Sequence, residues 1–133
     1  ATAFVDLHVN DLNHISELVG YLANRSITTV TVPSAGMTPK AGWDLFEQYL
    51  RSAQLFIVVY GGVGREWVQE RLVEAFKLIT EKGLSTRMGI YVAPPDKPAE
   101  AVNFGICDVM LNTRVFDPAT IEPLLSRTSG TDA

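Results

Sequence analysis

Short apolar runs alternate with amphipathic stretches along the whole chain. Phe4-Val5-Asp6-Leu7-His8-Val9 is apolar at most positions and stops at Asn10-Asp11, which predicts a strand. Ile15, Leu18, Val19 and Leu22 then recur at i, i+3, i+4 and i+7, the spacing of one helical face. Asp11 or Asn13 is placed to cap that helix, and Asn24-Arg25-Ser26 breaks it. The β-branched run from Ile27 to Val32 predicts a second strand, and Pro33 to Gly42 a loop rich in breakers.

Trp43 to Arg51 reads as a helix with Phe46, Tyr49 and Leu50 toward the core. Gln54 to Tyr60 is apolar with no polar alternation beyond its first residue, as expected of a strand covered on both faces. Gly61-Gly62-Val63-Gly64 ends it. A third helix is predicted from Arg65 to Glu81, with Val68, Leu72, Ala75, Phe76 and Ile79 on its inner face and Gly83 as C-cap. Met88 to Ala93 and Asp108 to Leu111 predict strands four and five, separated by a loop or short helix over Asp96 to Phe104. Asp117-Pro118 announces a last helix; Pro123 fits it only if the helix starts near Thr120 and holds Pro123 in its first turn.

Strand and helix alternating in this way predict an α/β domain with a five-stranded parallel sheet, flavodoxin-like, in the order 2-1-3-4-5. Ligands of such sheets sit at the carboxyl ends of the strands, near the switch point between strands one and three. That directs attention to His8–Asp11, Tyr60–Glu66 and the Pro33–Gly42 loop.

Composition agrees. The chain has 133 residues, 47% hydrophobic and 20% charged, enough for one domain with its own core. The sequence opens Ala1-Thr2-Ala3 without a methionine and ends in a polar Ser129-Gly130-Thr131-Asp132-Ala133, and we expect a domain over residues 1–127 and a tail over 128–133, cut from a longer protein. A net charge of −4 argues against nucleic acid or an anionic membrane as the main partner. One cysteine, Cys107, permits neither an intrachain disulfide nor a multi-cysteine metal site, and no apolar run is long enough to span a membrane. A cytoplasmic setting is the default for such a chain.

Several chemistries fail on their residue requirements. The loop after strand one, Val9 to Asn13, has no glycine and carries an acid, unlike an FMN phosphate loop. Strand three ends in Tyr60-Gly61-Gly62 and strand five in Asn112-Thr113-Arg114, so the magnesium cage of a phosphate receiver is missing. Gly61-Gly62-Val63-Gly64 is neither GxGxxG nor a GK[ST] loop. His8 and His14 lack metal-ligand spacing, no metal site is expected, and no G-x-S-x-G elbow presents a serine.

Three segments carry a family resemblance. Phe4 to Asp11 occupies the frame of a first-strand pattern F-I-S-Y-S-x-x-D, with Asp6-Leu7 in place of the Ser-Tyr pair. Leu45 to Tyr60 is similar to I-x-x-x-I-x-x-S/A-x-x-x-I-V-V-L, with Gly61 where a serine follows. Glu66-Trp67-Val68-Gln69-Glu70-Arg71-Leu72 resembles W-[CV]-x-x-E-L. Together they resemble the TIR (Toll/interleukin-1 receptor) domains, including TIR-like domains of bacterial immune and signalling proteins. The resemblance implies the flavodoxin-like fold, a signalling context and an assembly loop at Pro33–Gly42. In members that cleave NAD it implies a catalytic glutamate four residues after the tryptophan, a carboxylate facing the positive charge that develops on the ribose. Here that position is Arg71, a permanent cation.

The leading expectation is therefore a non-catalytic interaction module, self-associating or binding other TIR-like domains through Met37, Lys40 and Trp43, with no cofactor. A second is an NAD-cleaving enzyme with NAD as substrate, a rearranged site and Glu70 as its acid; Asp6, His8 and Asn10 would lie at the pocket with Tyr60 and Trp67 as walls. A third is a sensor of a small nucleotide, in which His8, Asn10 and Arg71 meet phosphates beside Gly61.

Overall fold

The computed structural model describes residues 1–32, 37–105 and 107–130, with side chains of the last helix through Ser126. Its five strands are β1 (Thr2–Asp6), β2 (Thr28–Val30), β3 (Leu55–Tyr60), β4 (Arg87–Val92) and β5 (Asp108–Leu111). All neighbours pair in parallel in the order β2-β1-β3-β4-β5, the flavodoxin-like arrangement. Its helices are α1 (Ser16–Asn24), α2 (Pro39–Ser52), α3 (Arg65–Lys82) and α4 (Glu122–Gly130).

The alternation of side chains along each strand divides the core in two. Ala3, Val5, Ile57 and Val59 face α1 and α4, meeting Leu18, Leu22, Leu124 and Leu125. Phe4, Phe56, Val58 and Ile90 face α2 and α3, meeting Phe46, Leu50, Val68 and Leu72. Every residue of β3 is buried, as a central strand with helices on both faces requires. Gly83 closes α3 at φ 63°, a left-handed cap that suits glycine.

Four local expectations are corrected. A 3-10 helix over Val9–His14 separates β1 from α1, so Asp11 and Asn13 do not cap α1; its N-cap position is Ile15, with no side-chain cap bond. α2 starts at Pro39 rather than Trp43, because Thr38 accepts a bond from the Ala41 N–H and Pro39 suits a first turn. Within the predicted Pro33–Gly42 loop, residues 33–36 lie outside the described residues. Phe76 is about half exposed rather than core. α4 runs through Gly130, so the expected tail over 128–133 falls partly on its last turn and partly outside the described residues. Among the described residues no helix is long and apolar enough to cross a membrane.

Candidate functional site

β1 ends in Asp6, and its carboxylate is 2% exposed. A buried carboxylate needs a partner, and the partner comes from α3, 65 residues along the chain. The Arg71 Nε donates to Asp6 Oδ2 at 2.7 Å and Nη2 donates to Oδ1 at 3.0 Å, a two-pronged pair. The guanidinium also lies against the rings of Trp43 (4.5 Å), Trp67 (5.0 Å) and Phe46 (5.1 Å). Burial pushes the Asp6 carboxyl above its ordinary value, while Arg71 pulls it back; the balance is upward. Arg71 is thereby committed: its charge is neutralised, two of its nitrogens are bonded, and its side chain is 18% exposed.

Above this pair lies an open hollow of about 310 Å³ between the end of β2, the start of α2 and α3. Val32, Met37 and Trp43 give it apolar walls, and Glu70 and Arg71 border it. Neighbouring helix positions differ by about 100°, yet both side chains are long enough to reach one rim. Lys40 is not on the hollow; it is exposed and pairs with Asp44 one turn along, at 2.8 Å.

The remaining predicted residues split into two groups. His8 stands on the Arg71 side: its ring meets Trp67 edge-on at 6.4 Å, and its Nδ1 accepts from the Asn10 N–H at 3.1 Å, leaving the proton on Nε2. Asn10 itself is exposed. Tyr60 is buried and turned toward the β4–β5 side, where it meets Phe104 at 6.0 Å and Lys97 Nζ at 4.8 Å. It is therefore not a wall opposite Trp67. Gly61 lies against Asp11, and a Cβ there would stand 2.4 Å from Asp11 Oδ1.

Asp11 is the residue that sequence reasoning undervalued. It is buried, its Oδ1 accepts from the Gly62 N–H at 3.0 Å, and it ties the segment after β1 to the turn after β3. The available signal was an acid just past β1 together with a Gly-Gly turn just past β3 at the neighbouring edge. Lys97 and Arg65 were also missed. Lys97 donates to the Ala93 and Pro95 carbonyls, and Arg65 lies over Phe104 at 4.4 Å while donating to the Asn103 carbonyl. Among the described residues no His, Cys, Asp and Glu side chains group as a metal site.

No family model matches the chain, and no curated protein does. Among solved structures it is similar to the Clostridium botulinum CMP N-glycosidase BcmB. The identity is 13% and the TM-score 0.49, over 98% of this chain and 99% of that one. At that distance the likeness carries no chemistry across. What the site can do is set by its own residues: a neutralised, ring-enclosed ion pair at the end of β1, beneath an open, largely apolar hollow with one exposed carboxylate, Glu70, on its rim.

Proposed function

We propose that this chain is a non-catalytic TIR-like module that works by binding other proteins, with the hollow beside Trp43 as a contact surface. The observation that carries the reading is the Asp6–Arg71 pair. Cleavage of a ribosyl bond needs an available carboxylate beside the developing oxocarbenium ion. At the position the resemblance assigns to that carboxylate stands a guanidinium, and the nearest acid is already consumed in holding it. Trp43, Phe46 and Trp67 pack against the same guanidinium, so it is held in place on the floor of the hollow. The apolar wall of Met37 and Trp43 is the kind of anchor pocket protein partners use. Light scattering across a concentration series tests the reading: association weakened by Met37→Asp is expected, and a monomer at every concentration, indifferent to that change, contradicts it.

One observation favours a second reading. Glu70 shares the hollow with Trp43, so an acid and an aromatic wall do meet there. An NAD-cleaving enzyme built on that acid would release nicotinamide, and Glu70→Ala would abolish the release. The nucleotide-sensor reading loses one of its phosphate contacts, since Arg71 is bound to Asp6.

A further inference from the structure

We draw no further inference here: the strongest candidate, the buried Asp11 carboxylate between the segment after β1 and the Gly61–Gly62 turn, is enclosed by protein at 3% exposure, and nothing in the structure shows what group would meet its unpaired Oδ2.

Discussion

Replacing Arg71 by Met leaves the Asp6 carboxylate 2% exposed and without its partner. Removing one member of a buried ion pair costs about 3–5 kcal/mol, because the stranded charge keeps its desolvation penalty. The ring contacts with Trp43, Trp67 and Phe46 are lost too, but methionine restores much of that packing. At this chain length such a loss lowers the melting temperature by roughly 10 °C or more. Asp6→Val alone strands the guanidinium and should cost a similar amount. The double change Asp6→Val/Arg71→Met removes both charges and should cost about 1 kcal/mol or less, giving a coupling of about 5 kcal/mol or more.

The pH dependence has a definite sign. Burial raises the Asp6 carboxyl in the folded state, and Arg71 opposes the rise. In Arg71→Met the opposition is gone, so the folded value lies further above the ordinary carboxyl value of 3.8. A raised carboxyl favours the protonated form, so the destabilisation is small in acid, grows as the pH climbs past 3.8, and is complete above the folded value. Urea titrations of the four proteins at pH 4 and pH 7, with m checked for constancy, measure all of this. Additive single costs, or an Arg71→Met loss under about 1 kcal/mol at pH 7, would refute the reasoning.

Two further outcomes follow from local geometry. Gly61→Ala places a Cβ 2.4 Å from Asp11 Oδ1, forcing that carboxylate off the Gly62 N–H; a loss of about 1–3 kcal/mol is expected, smaller in an Asp11→Ala background, and additive denaturation midpoints would contradict it. Burial pushes the Cys107 thiol from 9.0 to about 11, so at pH 8 its thiolate fraction falls about a hundredfold; iodoacetamide should label the folded chain at least that much more slowly than the urea-unfolded chain, and comparable rates would show an accessible, ordinary thiol.

The fold was legible because its strongest signals are local. The unbroken apolar run of β3 and the Gly83 cap need only neighbouring residues to be read. Pro39 reads as a breaker in the sequence alone, because its role depends on Thr38 capping the turn it opens. Phe76 reads as core because it adjoins Ala75 in the apolar pattern, yet one helical step of about 100° carries it to the edge of the buried face. The site was less legible for a different reason. Arg71 is recognisable as a cation where the resemblance implies an acid, but its bond to Asp6 joins residues 65 positions apart, and only the pairing of β1 with β3, the strand that α3 follows, brings them together. Asp11 was hidden in the same way, since its partner lies on the turn after β3.

The central claim is that Asp6 and Arg71 fill the place where a ribosyl-cleaving carboxylate would have to stand. Prolonged incubation of the purified chain with NAD, followed by chromatography for free nicotinamide, addresses it most directly. The account predicts no nicotinamide beyond a protein-free control, for the native chain and for Glu70→Ala alike. Nicotinamide that accumulates with the native chain and vanishes with Glu70→Ala would contradict it.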